Sequence, residues 1–276
     1  RPASPSAPEP PPEILLPLDI DLALAVDTIR LTGATAFEAR GLAARYQYEG
    51  QAHQLQITQL AVAQGQYQGK LRLQARLPMA LDLQLTGQVQ APVGDGQTIA
   101  LDASASANGP LAGIAPRLDL QLLVQPGPGN SGALAGNRAM RADLSAQVNP
   151  WAAQPVIRAQ ASFNQLDLAA LWPTAPRTLL TGNTWVRPAG PNWLAELNLI
   201  NRDEGPWDKG RLPLASVKGL VEYGDGRLRI ESLNAEGAGG RVRLQARLAD
   251  TRQLTASSGW QGQLQVQGID LAKVYS

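Results

Sequence analysis

The chain has 276 residues, enough for one large all-β domain or two ordinary ones, and 24 Lys+Arg against 23 Asp+Glu leave a net charge of +1. That balance, with no run of five like charges, does not point to an electrostatic partner such as nucleic acid or an anionic membrane surface. The absence of cysteine excludes a disulfide framework and a thiolate metal site, and fits either a reducing cytosol or a bacterial periplasm.

Apolar residues make up 44% of the chain but aromatics only 5%, so the apolar mass is mostly Leu, Ala and Val set among Gln and Gly. The opening RPASPSAPEPPPE, residues 1–13, has almost nothing to bury and is expected to be an extended, disordered linker. Because the chain begins at Arg1 and ends at Ser276 in mid-pattern, it reads as an excerpt of a longer protein. No window approaches the roughly 18 apolar residues that a spanning helix needs.

Structure is predicted from Ile14 onward, where apolar residues alternate with polar ones: Leu18, Ile20, Leu22, Leu24 and Val26, then Leu55 and Ile57, Leu71 and Leu73, and Leu81, Leu83 and Leu85. The rhythm resumes at Leu118, Leu197, Leu228 and Ile230, Val242 and Leu244, and Leu264 and Val266. Period two predicts strands, although Leu, Arg, Gln and Ala are also good helix formers. Turn signals such as APVGDGQ, ANGPLAG, RPAGPNW and YGDG divide the alternation at short intervals and favour strands joined by turns.

Two elements break the pattern in a matched way. NQLDLAALWP (Asn164 to Pro173) and QGIDLAKVYS (Gln267 to Ser276) are predicted to be one-turn helices, with Asp167 and Asp270 as N-caps and Pro173 as a stop. A larger repeat links Gln54–Leu77 to Arg227–Leu248, two residues shorter, ending in GKLRLQARL and GRVRLQARL. In both copies the alternation slips after Ile57 or Ile230 and resumes at Leu60 or Leu233, which predicts a β-bulge. The two sections of sheet are expected at 14–163 and 164–276, the second truncated at the start of a further repeat.

Catalytic chemistry is poorly supplied. His53 is the only histidine, so a multi-histidine metal site is excluded, and it reads as a solvated residue at a strand edge. GPGNSG (Gly127 to Gly132) satisfies GxGxxG, but Pro128 and the weak helix-forming potential of ALAGNRA favour a turn over a dinucleotide site. The carboxylate pairs Asp203/Glu204 and Asp19/Asp21 read as a polar turn and a solvent-facing strand. The six tryptophans, Trp151, Trp172, Trp185, Trp193, Trp207 and Trp260, all lie in the second half and read as packing residues, with sugar stacking as the rival. The expectation is a protein that is not an enzyme and holds no metal or cofactor.

In a strand, Leu71, Leu73, Ala75 and Leu77 face one way and Lys70, Arg72, Gln74 and Arg76 the other. An aliphatic face of this kind must be covered by a second sheet, by curling, or by an apolar ligand. The candidate lining of a lipid groove is Leu55, Ile57, Leu71, Leu73, Leu77, Leu81, Leu83 and Leu85, with Leu228, Ile230, Val242, Leu244, Leu248, Leu264 and Val266.

The bulged pair LQITQLAVAQGQYQGKLRLQARL, the repeated DLAALWP and DLAKVY, and TLLTG (Thr178 to Gly182) resemble the TamB family of AsmA-like envelope proteins of Gram-negative bacteria. The resemblance implies an all-β, elongated, curved antiparallel or mixed sheet, a β-taco with a hydrophobic groove and a few short helices. It also implies a periplasmic segment of a protein anchored in the inner membrane, conducting phospholipids and supporting assembly of outer-membrane proteins and autotransporters. The implied partners are phospholipid acyl chains, the Omp85-type outer-membrane protein TamA and unfolded outer-membrane protein strands. The competing expectation is a carbohydrate-binding or adhesive β-solenoid or sandwich that uses the Trp-rich turns.

Overall fold

The computed structural model describes residues 9–31, 37–62, 65–94, 97–128, 130, 140–171, 175–224, 226–248 and 259–276. The fold is all-β, with fifteen strands among the described residues that follow one another in the sheet in chain order. The registered pairs are all antiparallel, as expected where short turns join consecutive strands. Two compact units divide the chain: Arg1–Pro92 with Thr98–Asn130 and Leu144–Ile157, and Val93–Gln97 with Ser131–Asp143 and Arg158–Ser276.

The first unit holds β1 (Ile20–Leu31), β2 (Phe37–Tyr48), β3 (Ala52–Val62), β4 (Gly65–Gln74), β5 (Ala80–Gly94), β6 (Gln97–Pro110) and β7 (Leu118–Pro126), with most of β8 (Arg141–Val148). Alternation extends the backbone here despite helix-forming residues, because strand pairing buries one side chain in two against its neighbours. The slip after Ile57 is a register shift: Ile57 pairs with Gly69, and the next pair is Leu60 with Tyr67. A second irregularity in β2 falls at Gly41, whose φ of 58° suits a residue without Cβ.

The second unit contains most of β9 (Val156–Leu166), then β10 (Leu180–Ala189), β11 (Asn192–Asn201), β12 (Ser216–Gly224), β13 (Arg227–Gly237), β14 (Gly240–Leu248) and β15 (Trp260–Gln267). Its expected bulge is also present, between Ile230, opposite Ala246, and Leu233, opposite Leu244. Both matched elements are single helical turns, α1 (Leu168–Leu171) and α2 (Leu271–Val274). Asp167 Oδ1 accepts from the Ala169 amide at 3.1 Å and Asp270 Oδ1 from the Ala272 amide at 3.0 Å, so both predicted caps form. Pro173 lies outside the described residues.

The register corrects the alignment of the two nonapeptides. Gly69 stands opposite Ile57, four residues into β4, whereas Gly240 stands opposite Gly237 beside the turn. In the second hairpin Ala246 takes the place opposite Ile230, so the two similar sequences sit six residues apart in the structural repeat. The turn sets four residues of this offset, since Ala238 and Gly239, with φ of 48° and 76°, close the hairpin at Gly240 while β4 begins at Gly65 opposite Val62; the other two come from the longer arms between bulge and turn, Ile230–Gly237 against Ile57–Val62. Ala75 and Leu77 therefore leave the sheet in the first copy, whereas Ala246 and Leu248 stay in it as buried strand residues.

His53 also departs from expectation. It lies in the interior strand β3, only 7% exposed, stacked on Tyr48 and Tyr46 with ring centroids 4.7 Å and 6.1 Å away. Its Nε2 donates to the Ile14 carbonyl at 2.8 Å, so in the neutral ring Nδ1 accepts from the Tyr46 hydroxyl at 2.6 Å. Around this ring the segment before β1 is strapped to the sheet: the Ile14 amide donates to Ala75 O, the Leu16 amide to Tyr48 Oη, and Glu13 Oε1 accepts from the Leu77 amide. Burial raises the pKa of the Tyr46 phenol, which keeps its proton available for His53.

His53→Ala removes both hydrogen bonds and the stack, and should lower unfolding free energy by about 2–3 kcal/mol in urea titrations; a loss near zero overturns the strap as a source of stability. On the other face of the edge pair, Arg45 hydrogen-bonds Asp21 and holds its carboxyl below the ordinary 3.8. A depressed carboxylate stabilises the fold above its unfolded pKa and loses that contribution as pH falls through the lower folded value. β1 should accordingly loosen from β2 only below about pH 4. Amide shifts of Leu22 to Leu24 followed by NMR should lose this step in Arg45→Gln.

Candidate functional site: the aliphatic rows

In the first unit, register aligns apolar side chains across strands. Leu22, Tyr46, Leu55, Leu71 and Leu83 form one continuous cross-strand row. A second row runs through Ile20, Tyr48, His53, Leu73 and Leu81, and a third through Leu24, Ala44, Ile57, Gly69 and Leu85. Gly69 is required in the third: a Cβ there would lie 2.6 Å from Gln84 O and 3.0 Å from Leu85 Cδ1. The opposite face carries Arg45, Gln56, Lys70 and Gln84 in register.

The second unit repeats the arrangement. Leu197, Gly219, Leu233, Leu244 and Leu264 make one row, and Leu199, Val217, Ala235, Val242 and Val266 the next. Ile230 lies between Val221 and Ala246, and Leu228 between Tyr223 and Leu248.

Fourteen of the fifteen residues expected to line a groove therefore fall on these two aliphatic faces, one face in each unit. The exception is Leu77, which lies past the end of β4 and is 54% exposed. Leu55, Ile57, Leu71, Leu73, Leu81, Leu83, Leu85, Leu228, Ile230, Val242 and Leu244 are half-buried. Leu248 is buried, while Leu264 and Val266 on β15 are 63% and 53% exposed.

This pattern differs from a sealed core. A side chain between two packed layers loses almost all its water contact, yet the central leucines of both faces keep part of theirs. The largest fully buried side chains are Tyr48, Met79 and Leu248. Met79 lies in the turn after β4, and Tyr48 and Leu248 are the last residues of their strands. Among the described residues the longest helix has four residues, so no amphipathic helix covers either face. No described helix is long and apolar enough to cross a membrane.

The remaining candidates have structural roles. Asp203 pairs with Arg177 and Arg211, at 3.2 and 3.3 Å, and Glu204 Oε1 accepts from the Ala238 amide, fixing the loop after β11. Asp21 faces Arg45 on the polar side. The described part of GPGNSG is a turn in which Asn130 clasps Ala100, accepting from its amide and donating to its carbonyl, both at 2.8 Å. Gly129, Ser131 and Gly132 lie outside the described residues. Trp151 Nε1 donates to Leu111 O, Trp193 pairs with Tyr223 on the aliphatic face, and Trp185 lies opposite Glu196. Trp207 is exposed in a 3-10 turn, and Trp172 lies outside the described residues. The described tryptophans are dispersed over different elements and do not form one stacking platform.

Two hydrogen-bonding centres escaped the sequence reading. Asn201, buried at the end of β11, accepts from the Leu179 and Asp203 amides and donates to Leu214 O. Buried Thr178 accepts from the Leu168 amide and donates to Leu166 O, while its own amide donates to Asp167. Their positions beside turn-forming stretches are the only sequence signal, because their partners are mostly backbone atoms.

Residues 2–122 match the family model described as TamB, N-terminal domain, a span of under half the chain. No curated protein and no solved structure matches it. Residues 2–122, which carry the first bulged hairpin and its aliphatic rows, are therefore similar to the N-terminal domain of TamB.

Proposed function

We propose that the two aliphatic faces hold phospholipid acyl chains, and that the chain acts in the periplasm as part of a conduit between inner and outer membranes. The observation that carries this reading is the row Leu22–Tyr46–Leu55–Leu71–Leu83 and its counterpart Leu197–Gly219–Leu233–Leu244–Leu264, in register yet incompletely buried. Hydrocarbon is the ligand class such a surface takes, because the one polar side-chain group in these rows, the Tyr46 hydroxyl, is already bonded to His53 and little hydrogen bonding is lost on desolvation.

The magnitude makes an apolar path useful. At about 0.8 kcal/mol per CH₂, a two-chain lipid with on the order of 30 methylenes faces up to about 24 kcal/mol on full exposure to water. A face of closely spaced leucines removes much of that cost at each step, and repetition of similar rows leaves no single site deep enough to trap the lipid. The charged and amide side chains of the opposite face keep the same strands hydrated. The match of residues 2–122 to the TamB N-terminal domain supports the further proposal that the full protein aids outer-membrane protein assembly with TamA. Edge strands such as β1, with backbone groups free on one side, suit pairing with an unfolded client strand.

The test is phospholipid recovery by extraction and mass spectrometry from wild type, Leu73→Arg and Leu244→Arg. Both variants should lose severalfold of the co-purifying lipid while their melting temperatures fall by only a few degrees, since the half-exposed face leaves the guanidinium a route to water. A photoreactive residue at position 73 or 244 should crosslink to lipid. No lipid in the wild type, or unfolding of both variants, overturns the conduit and favours a filled sandwich.

A further inference from the structure

The polar face of the first unit is not uniform. Over β3 to β7 it holds a cleft of about 500 Å³, within the range of small-ligand sites. Gln66, Gln68, Gln88 and Gln125 stand exposed around the shorter Thr86 and Ser104. Register brings them together: Gln66 opposes Gln88, Gln68 opposes Thr86, and Ser104 opposes Leu123. The bulge in β3 adds Thr58 and Gln59 to the wall. Side-chain length gives the cleft its depth, with long amides above short hydroxyls.

Its charge separates it from the other hollows of the polar faces. One of about 320 Å³ is lined by Arg45, Lys70, Arg72 and Asp82, and one of about 400 Å³ by Arg229, Glu231 and Arg247. Among the described residues the large cleft contains no Lys or Arg, and the only carboxylate in its lining is Asp102, opposite Gln125. Asp102 Oδ1 is buried without a hydrogen-bond partner, beside Gly127, where an added Cβ would lie 2.9 Å away.

These features select a ligand class. An anion would meet Asp102 with no cation to offset it, and an acyl chain would strip water from the glutamines and return nothing. A single carboxylate is too few ligands for a divalent metal. Sugar hydroxyls donate and accept, as carboxamides and Thr or Ser hydroxyls do, and Leu123 offers an apolar surface to the C–H face of a ring. We propose that this cleft binds a neutral saccharide, on the face opposite the aliphatic rows and independently of any lipid held there.

The experiment is an NMR titration of the full 276-residue chain with N,N′-diacetylchitobiose and, separately, maltose. Shifts confined to the amides around Gln68, Thr86, Ser104 and Gln125, saturating at millimolar concentration, are expected with at least one of them. Preference for chitobiose assigns the amides to an acetamido sugar, and equal binding assigns them to the ring hydroxyls; either result upholds the site. Gln68→Ala and Asp102→Asn should each weaken binding by about tenfold, while Gln245→Ala in the second unit leaves it unchanged. Gln68 is exposed, so its truncation keeps the test valid should Asp102→Asn fail to fold. Absence of shifts with both sugars at about 10 mM, or unchanged affinity in Gln68→Ala, overturns the proposal.

Discussion

Parity along the strand is the constraint on which everything else rests. Because successive side chains point to opposite faces, each antiparallel pairing must match apolar to apolar or invert a whole strand. The hairpins meet that condition by pairing residues close in sequence, Leu55 with Leu71 and Leu71 with Leu83, so each register is set by a local turn. Bulges are the permitted exceptions, and those in β3 and β13 show how, as do the shifts in β2 and between β9 and β10. Each of the first two inserts residues into its strand, and the sequence alternation slips by the same amount, so Leu60 and Leu233 return to the aliphatic face.

What the strands cannot supply is closure at their ends, where ladder hydrogen bonds stop and backbone groups are left over. The first unit solves this with the strap of Glu13 to Leu16 around His53, and the second with Asn201 and Thr178, whose side chains bond main-chain atoms beyond the strands. The tightest burial follows the same geography: Tyr48 and Ala75 in the first unit and Leu248 and Leu180 in the second flank these closures or lie at strand ends. Rigid ends permit a central face that is only half covered, because the strands are held by pairing and termination without demanding a dry core between layers.

The legible parts of this architecture were those encoded by neighbours in sequence. Period-two alternation identified the strands, the slips at Ile57 and Ile230 identified the bulges, and aspartate before Leu-Ala identified both helical turns. The fourteen candidate residues on the aliphatic faces were readable because parity alone assigns a face. The offset between the two nonapeptides was not readable, since identical residues pair differently once a turn closes four residues earlier. His53 was misread for a related reason: its environment comes from Tyr46 and Tyr48 across a strand pair and from Ile14, a distant segment. Leu77 belonged to the alternating string, but β4 ends at Gln74 and a turn removes it from the row.

Parity also explains how two unlike surfaces coexist on one layer of backbone. Each residue that lengthens the aliphatic row is followed by one that lengthens the polar row, so a longer apolar face necessarily brings a longer hydrated one. Arginine, lysine and glutamine satisfy the second requirement in most places, and their pairing with Asp21, Glu222 or Glu236 leaves mixed-charge surfaces. Around Gln68 and Thr86 the described residues meet the same requirement without cations. Hydration alone would be served as well by lysine there, as Lys70 demonstrates two residues along β4. The restriction of its polar groups to amides, hydroxyls and one carboxylate is therefore a chemical selection on the polar face, separate from the alternation that builds the sheet.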